Sequence, residues 1–314
     1  MVDLKDIIDS HDRIMHLIHR TPILTNESLN KLIDAKLFFK CENFQKTGAF
    51  KIRGASNAVE LLTKNELDRG IATASSGNHG AALAKAVTSR NGKITVIMPE
   101  DSSLIKVENV QRNGGEIIWC EPFQESREKV LNDFVASSNA VVIHPYNDEK
   151  IISGQGTAAK EFLEDCPDLD VIISPLSGGG LLSGTLCAAK RIKPDILVFG
   201  AEPEEADDAC RSLAAGERLS NKTTNTICDG LRAQIGIINF PIIKQMVDGI
   251  ITLSESDIIS SMKMIFERMK IVVEPSSSIV LAAAIKRKEE FRGKKVGLIL
   301  SGGNVDCDNF PWMN

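Results

Sequence analysis

The 314-residue chain lacks any apolar run long enough to cross a membrane, and it has no surplus of basic charge. No stretch of about 18 consecutive apolar residues occurs, so no transmembrane helix is expected. The formal net charge is −5, and the densest basic run, residues 286–288, is followed at once by two glutamates. A nucleic-acid-binding protein needs a basic patch or stripe. We therefore expect neither a membrane nor a nucleic acid as a partner.

Paired cysteines are also missing. The seven cysteines include no CxxC pair and no histidine at the spacing of a zinc site, so neither a disulfide framework nor structural zinc is expected. Reduced thiols fit a cytoplasmic protein. Residues 1–20 lack the apolar core of a secretory signal. Apolar residues at helical spacing instead predict a helix over residues 2–20, with His11, His16 and His19 exposed on its polar face.

The chain does contain a regular alternation of short β-rich runs and helical segments. Such alternation indicates parallel sheets, so the predicted fold is α/β, with two open, twisted, mostly parallel sheets flanked by helices. The main predicted strands are 36–41, 70–74, 93–98, 116–120, 140–144, 171–176, 196–200, 250–253 and 296–300. The main predicted helices between them are 52–62, 81–90, 104–113, 126–138, 157–166, 181–191, 255–269 and 276–284.

A lysine between apolar neighbours, Lys51, lies in the segment GAFKIRGA at residues 48–55. Apolar neighbours remove water from an amine and lower its pKa, which is what a nucleophilic lysine requires. A helix predicted to start at Ile52 places the positive end of its dipole beside Lys51, and this further disfavours the ammonium form. The dipeptide alone is more typical of a surface lysine, because lysine is rarely buried.

A glycine-rich loop, Ser177-Gly178-Gly179-Gly180, joins a predicted strand to a predicted helix. Consecutive glycines at a helix start can turn backbone N–H groups towards a phosphate. A tight turn is the alternative interpretation. A dinucleotide-binding or nucleotide-hydrolysing loop is poorly supported, because Ser183 replaces the third glycine of GxGxxG and no Walker lysine follows.

Three further polar stretches stand beside predicted strands or helices. The turn SSGNHG at residues 75–80 suits either a carboxylate ligand or a helix N-cap made by Ser75 or Ser76. Ser301, in the motif LSGGN, suits either a ligand ring nitrogen or a β-turn. Residues 202–208 carry five carboxylates, a density that suits Mg²⁺ or Ca²⁺, although composition alone favours a solvated acidic loop.

Together these motifs and Glu274-Pro275 resemble the fold-type II pyridoxal-phosphate enzymes of tryptophan synthase β-like fold. Within that class they are most similar to serine racemases and short serine/threonine dehydratases. The likeness spans about residues 21–306 and keeps the family's motif order. It implies a large cofactor-binding domain of residues 1–61 plus 149–314, a small mobile domain of residues 62–148, and an active site between them. It also implies a homodimer without the regulatory domain of the long threonine dehydratases.

The resemblance implies roles for the residues around the cofactor. Lys51 would form the Schiff base with pyridoxal 5′-phosphate, and Ser76 would be a second acid/base on the opposite ring face. Asn78 would hydrogen-bond the phenolic oxygen, and Ser301 would face the ring nitrogen. The family's phosphate loop usually begins with glycine, so the hydroxyl of Ser177 would either bind phosphate or crowd the loop. The implied phosphate ligands are Ser177, Gly178, Gly179, Gly180 and the Leu181 N–H.

The substrate and metal sites implied by the resemblance use other parts of the same motifs. The implied ligands of the substrate carboxylate are Ser75, Ser76, Asn78, His79 and Arg127. The implied metal is Mg²⁺, with Ca²⁺ or Mn²⁺ as alternatives. Its implied ligands are Glu202, the Ala206 carbonyl and Asp208.

The implied activity is that of a serine racemase that also dehydrates L-serine and L-threonine. Lys51 would remove the Cα proton; reprotonation by Ser76 would then invert Cα, whereas loss of the β-hydroxyl would lead to a keto acid and ammonia. A dedicated threonine or 3-hydroxyaspartate ammonia-lyase and a cysteine-synthase-type enzyme are alternatives within the class. A nicotinamide dehydrogenase and a catalytically silent binding protein are alternatives outside it.

Overall fold

The strands form two separate sheets in the computed structural model of the chain, which describes residues 2–313. The strands are β1 (Ile23–Leu24), β2 (Lys36–Cys41), β3 (Ile71–Ala74), β4 (Ile94–Pro99), β5 (Glu116–Cys120), β6 (Val141–Val142), β7 (Val171–Pro175), β8 (Leu197–Pro203), β9 (Gly249–Leu253) and β10 (Lys295–Leu300). One sheet has the order β1-β2-β10-β7-β8-β9, and the other has the order β5-β4-β3-β6. The predicted fold class is therefore confirmed.

Helices connect most of these strands. They are α1 (Leu4–Ile14), α2 (Glu27–Ile33), α3 (Lys51–Glu60), α4 (Lys64–Asp68), α5 (Asn78–Ser89), α6 (Leu104–Arg112), α7 (Gln124–Ser138), α8 (Glu149–Asp165), α9 (Gly180–Ile192), α10 (Asp208–Ala215), α11 (Asn239–Met246), α12 (Glu255–Met269), α13 (Pro275–Lys286) and α14 (Lys288–Phe291). None of the helices within residues 2–313 combines the length and the apolar character that a membrane span needs.

Nearly all strand pairing is parallel. The edge strand β1 pairs with β2 in antiparallel orientation, whereas the other pairs between the named strands are parallel. The central strands β4 and β7 are buried along their whole length. This burial explains their uninterrupted apolar sequences, because strands covered by helices on both faces do not alternate apolar and polar residues.

The four-stranded sheet draws all its strands from residues 71–142, and the six-stranded sheet draws its strands from the chain before and after that segment. The four-stranded sheet is therefore inserted in the sequence between β2 and β7 of the six-stranded sheet. The predicted division into a large and a small mobile domain stays a prediction.

Several predicted helix bounds were wrong. The first helix ends at Ile14 instead of residue 20, and the helix predicted at 157–166 begins at Glu149. Four helices, α4, α10, α11 and α14, were missed. The early turns of α8 contain glycines, which disfavour helix in isolation. In the fold they allow close packing, because a Cβ on Gly154 would lie 2.6 Å from Gly54 Cα in α3.

A buried ion network anchors the helix that begins at Lys51. Arg53 donates to Glu42 at 2.7 Å and to Glu161 of α8 at 2.8 Å. Lys40 of β2 also donates to Glu161, at 2.9 Å. His11 lies with its Nε2 3.6 Å from Glu161 and is buried, so its predicted exposure was wrong. The network holds α1, β2, α3 and α8 together behind the functional site.

Candidate active site

A cavity of about 700 Å³ is lined by residues that follow the carboxyl ends of strands in both sheets. Strands β3 and β7 end at Ala74 and Pro175, and β10 ends just before Ser301. Ligands bind at this edge of open parallel sheets. The predicted cofactor and substrate residues all line this cavity: Lys51, Ser75, Ser76, Asn78, His79, Arg127, Ser177, Gly178, Gly179, Gly180, Leu181 and Ser301.

Lys51 is the first residue of α3, one residue before the predicted helix start at Ile52. The preceding segment is tied to the end of β10, because Phe50 N donates to Ser301 O at 2.9 Å and Ala49 bridges to Gly302. The Lys51 amine donates to Pro145 O at 3.0 Å. Because the cavity walls desolvate the amine, the pKa of Lys51 is lowered to about 8. A substantial fraction of this amine is therefore neutral near physiological pH.

The glycine-rich loop connects β7 to α9 and presents the helix N-terminus to the cavity. Backbone N–H groups in the first turn of a helix have no partner within the helix, which makes them ligands for an anion. Gly179 has a φ of +96°, in the left-handed region that favours glycine. A Cβ on Gly178 would lie 2.4 Å from the ring of Tyr146. The loop therefore needs glycine at both positions.

Ser177, which begins this loop, uses its hydroxyl on the protein backbone. Its Oγ accepts from Ala233 N at 3.1 Å and donates to Ala233 O at 3.2 Å. The hydroxyl thus fastens the loop to the segment around residue 233. This arrangement differs from both sequence-based expectations, a hydrogen bond to phosphate and crowding of the loop.

The turn SSGNHG leads from β3 into α5. Ser75 Oγ accepts from Gly77 N at 3.2 Å and from Gly80 N at 3.1 Å, so its hydroxyl braces the turn. The N-cap residue of α5 is Gly77, so the prediction of Ser75 or Ser76 as the N-cap was wrong. Ser76 is partly exposed and lines the cavity. His79 is buried, and its Nε2 donates to Ile143 O at 3.4 Å.

The surroundings of His79 keep its imidazole neutral. Burial, followed by the charge of Lys51, holds the pKa of His79 well below its usual value. Its Nδ1 has no hydrogen-bond partner within residues 2–313. With Nε2 donating, Nδ1 is an acceptor, and its predicted contact with a substrate carboxylate stays a prediction.

Asn78 is held at both ends of its carboxamide. Its Nδ2 donates to Glu274 at 2.8 Å, and its Oδ1 accepts from Asn304 Nδ2 at 2.9 Å. Asn304 Nδ2 also donates to Thr47 O, at 2.8 Å. The motifs that contain Glu274 and Asn304 were noticed in the sequence, but no sequence signal paired either residue with Asn78.

Sequence reasoning missed Lys106 entirely. Lys106 of α6 is only 4% exposed, and its Nζ lies 2.5 Å from Asp229 and 3.2 Å from Glu274. Although burial disfavours its charge, the two carboxylates raise the pKa of Lys106 above its usual range. Burial raises the pKa of Glu274, and the Lys106 ammonium opposes that rise. No motif marked this lysine, because its partners come from distant parts of the chain.

His144 is a second cavity residue that was missed, because the strand predicted at 140–144 covers only Val141 and Val142. Its Nδ1 accepts from Tyr146 N at 3.3 Å and from Asn147 N at 3.0 Å. Burial, followed by the charge of Lys51, lowers the pKa of His144. The neutral ring therefore carries its proton on Nε2, where it can act as a donor.

Arg127 of α7 also lines the cavity and is partly buried. Its Nε has no hydrogen-bond partner in the described part of the chain. A guanidinium group can bind a carboxylate through paired N–H donors. Arg127 is therefore available to an acidic ligand.

The predicted metal ligands lie away from the residues that line the cavity. Glu202, at the end of β8, accepts from Ala209 N at 3.1 Å and from Cys210 N at 3.0 Å. Asp208 accepts from Ile235 N at 2.7 Å through Oδ2. Both carboxylates are buried, so the stretch is not simply the solvated loop that composition favoured.

Within residues 2–313, these two buried carboxylates form no ion pair with a cationic side chain. Burial, followed by the charge of Asp208, raises the pKa of Glu202 well above its usual value, and burial raises the pKa of Asp208 to about 6. Asp208 Oδ1 has no hydrogen-bond partner within the described residues. Within residues 2–313, no group of three or more His, Cys, Asp or Glu side chains could hold a metal. The predicted set contains only two carboxylates, so it also depends on the Ala206 carbonyl.

Comparison with known proteins gives a consistent result. The family profile “Pyridoxal-phosphate dependent enzyme” matches residues 14–302. A serine racemase of Arabidopsis thaliana is 48% identical over 97% of this chain and 93% of its own length. A beta-hydroxyaspartate dehydratase of Paracoccus denitrificans is 44% identical over 98% of each chain. The solved structure of maize serine racemase has a TM-score of 0.94 and 44% identity, covering 98% of this chain and 95% of that chain.

Proposed function

This chain belongs to the pyridoxal-phosphate-dependent enzymes, and we propose that it is a serine racemase that also dehydrates L-serine and L-threonine. The observation that carries the proposal is the cavity shared by Lys51, an amine with a lowered pKa, and the hydroxyl of Ser76. Two proton-transferring groups are what inversion at Cα requires. The full-length similarity to serine racemases supports the same assignment.

The residues around the cavity fit pyridoxal phosphate. The start of α9 offers unpaired N–H groups for the phosphate, and Lys51 has no carboxylate bonded to its amine within the described residues. We assign Lys51 as the covalent anchor, Asn78 to the phenolic oxygen and Ser301 to the ring nitrogen. The assigned phosphate ligands are Ser177, Gly178, Gly179, Gly180 and Leu181. When bound, the cofactor supplies an electron sink for the bond broken at Cα.

Lys51 and Ser76 divide the proton transfers between them. A neutral Lys51 amine accepts the Cα proton at Nζ, and a pKa near 8 keeps part of the amine neutral at physiological pH. Ser76 Oγ donates a proton to the opposite face of Cα, and this inverts the centre. If the β-hydroxyl instead leaves as water before reprotonation, a water molecule hydrolyses the dehydrated product to a keto acid and ammonia.

The turn before α5 and the arginine of α7 bind the substrate. The positive end of α5 and its free N–H groups favour a carboxylate, and we assign this group to Ser75, Ser76, Asn78 and His79. Arg127 adds a guanidinium to the same cavity. His144 lines the same cavity, and we assign its neutral Nε2 donor to the substrate side chain.

A divalent cation, Mg²⁺ or alternatively Ca²⁺ or Mn²⁺, is proposed at Glu202, the Ala206 carbonyl and Asp208. The support is the pair of buried carboxylates with one unpaired oxygen, which is a stable arrangement only with protons or a cation nearby. Hard oxygen ligands suit these ions. The site would brace β8 against α10 and the segment near Ile235.

A 3-hydroxyaspartate ammonia-lyase is the second candidate. The relative named beta-hydroxyaspartate dehydratase supports it, as does the unpaired Nε of Arg127. An arginine could bind the second carboxylate of such a substrate.

A homodimer in the cytoplasm is also proposed; the seven cysteines, all free, agree with a reducing compartment.

One experiment tests the assignment. The purified holoenzyme is incubated separately with L-serine, D-serine, L-threonine and 3-hydroxyaspartate, and keto acid and enantiomer are measured together. A serine racemase forms D-serine from L-serine as well as pyruvate. Keto acid from 3-hydroxyaspartate without any inversion of serine would favour the ammonia-lyase. Efficient β-replacement in a separate incubation with O-acetylserine and sulfide would contradict both assignments.

A further inference from the structure

The carboxamide of Asn78 has one N–H donor left for a ligand. Glu274 accepts one of its two Nδ2 hydrogens, and Asn304 Nδ2 donates to its oxygen. The NH₂ group of Asn304 is a donor, and its two hydrogens go to Thr47 O and Asn78 Oδ1. It therefore cannot accept a hydrogen bond from Asn78. The remaining N–H of Asn78 belongs to a residue that lines the cavity.

These partners also exclude the flipped carboxamide. A rotation of Asn78 by half a turn would place its oxygen against the Glu274 carboxylate and its NH₂ against the Asn304 NH₂. A carboxylate can only accept and an amide nitrogen can only donate, so both contacts would become repulsive. The two neighbours therefore select a single orientation of Asn78.

Lys106 supplies the positive charge that this arrangement requires. Glu274 is only 2% exposed, and a buried carboxylate is unfavourable without a nearby cation. The Lys106 ammonium lies 3.2 Å from Glu274 and is shared with Asp229. Its side chain is packed against the turn before Asn78, since a Cβ on Gly77 would lie 2.4 Å from Lys106 Cδ.

We propose that Glu274 and Asn304 are positioning residues that hold Asn78 in the one orientation able to donate to the cofactor's phenolic oxygen, with Lys106 as the counter-charge of Glu274. The inference deepens the proposed function and rests on its assignment of Asn78. The protein controls a cofactor's electronics through such hydrogen bonds. Here the control depends on side chains that do not touch the reacting atoms.

The contacts also connect the two sheets. Asn78 and Lys106 begin or lie in helices that follow strands of the four-stranded sheet, whereas Glu274, Asn304 and Asp229 belong to segments beside the six-stranded sheet. The donor of Asn78 is consequently oriented only when both parts of the chain are in place around the cavity.

The test measures the dissociation constant of pyridoxal phosphate and the visible absorbance of the bound cofactor, independently of turnover. The variants are Asn78→Ala, Glu274→Gln, Asn304→Ala and the double variant Asn78→Ala/Glu274→Gln. Loss of a hydrogen bond to a charged oxygen weakens binding roughly tenfold. We expect that weakening and an altered absorbance for Asn78→Ala, and a smaller change in the same direction for Glu274→Gln and Asn304→Ala.

The double variant distinguishes positioning from a general structural role. If Glu274 acts through Asn78, the double variant binds the cofactor no more weakly than Asn78→Ala alone. Lys106→Met should reproduce the spectral change of Glu274→Gln. A purely structural role would lower the melting temperature of the apoenzyme and leave the absorbance of the bound cofactor unchanged.

The outcomes separate failure of the inference from failure of the assignment on which it rests. If Asn78→Ala leaves affinity and absorbance unchanged, the assignment of Asn78 is wrong. If Asn78→Ala changes affinity and absorbance but Glu274→Gln and Asn304→Ala change neither, only the positioning inference is overturned. Additive effects on affinity in the double variant would overturn it as well. Should Glu274→Gln fail to fold, Asn304→Ala still tests the other end of the carboxamide.

Discussion

Lys51 donates from Nζ to the backbone oxygen of Pro145, 3.0 Å away. The two residues belong to segments that flank different sheets, and the contact places the amine at the junction of both. A carbonyl oxygen is a neutral acceptor, so it accommodates the amine in its charged and its neutral form. Burial can therefore lower the pKa of Lys51 without an ion pair that would fix its charge, although the carboxylate of Glu274 partly offsets the shift.

The lowered pKa predicts how the apoenzyme captures its cofactor. Only the neutral amine attacks an aldehyde, so the rate at which Lys51 binds pyridoxal phosphate should rise with pH and reach half its maximum near pH 8. Glu274→Gln removes a charge that favours the ammonium and should shift the midpoint to lower pH. Stopped-flow absorbance measures both, and a midpoint near the 10.5 of an ordinary lysine would contradict the prediction.

Replacement of the lysine tests its role directly. Lys51→Ala should remove the visible absorbance of the covalently bound cofactor and lower turnover by at least about 10²–10⁴-fold, the usual contribution of a positioned acid/base. Lys64→Ala changes an exposed lysine and serves as the matched control. Absorbance of a bound imine that persists in Lys51→Ala would show that another amine holds the cofactor.

Ser76→Ala should separate the two proposed reactions. Without the hydroxyl, D-serine formation from L-serine should fall by about 10²–10⁴-fold, whereas dehydration of L-serine should persist because Lys51 still removes its Cα proton. Chiral chromatography and a keto-acid assay on the same reaction measure the two products. Ser137→Ala, on an exposed face of α7, is the control. Unchanged inversion in Ser76→Ala would exclude Ser76 as the second acid/base.

Mg²⁺ should stabilise the protein through the two buried carboxylates. A cation at one hundred times its dissociation constant adds about 2.7 kcal/mol to the free energy of unfolding, which corresponds to a rise of about 5 °C in melting temperature. EDTA should reverse the rise, and Asp208→Asn should abolish it. Glu205→Gln removes an exposed carboxylate of the same stretch and should leave it intact. If Mg²⁺ raises the melting temperature of both variants equally, the ion binds elsewhere.

Ser177→Ala should weaken cofactor binding although the hydroxyl is bonded to the backbone of Ala233. The substitution leaves the Ala233 N–H without its hydrogen-bond acceptor, at a cost of about 1–3 kcal/mol. If loop order is needed for binding, the dissociation constant of pyridoxal phosphate should rise roughly tenfold. Ser183→Ala, in the helix α9 that follows the loop, is the control, because it removes a buried hydroxyl that has no hydrogen-bond partner within the described residues. If Ser177→Ala binds pyridoxal phosphate as tightly as the unsubstituted protein, the loop keeps its shape without this contact.

The positions of the motifs were predictable for a physical reason. The loops at residues 75–80, 177–180 and 300–304 each follow a predicted strand, and parallel strands bring their carboxyl ends to one edge of a sheet. The predicted residues therefore meet in one cavity, although which atom of each residue faces a ligand did not follow from their order along the chain.

By itself, the sequence determined the alternation of strands and helices, the α/β fold class and the set of loops from which the cavity is built, because local patterns of apolar residues and glycines carry that information. Only the tertiary structure decided that Lys106 neutralises Glu274, that Asn304 orients Asn78, that Ser177 bonds to Ala233 and that His11 is buried against Glu161. Each of these contacts joins residues far apart in the chain. Their energies depend on burial and on distances that folding creates, and no local pattern in the sequence records them.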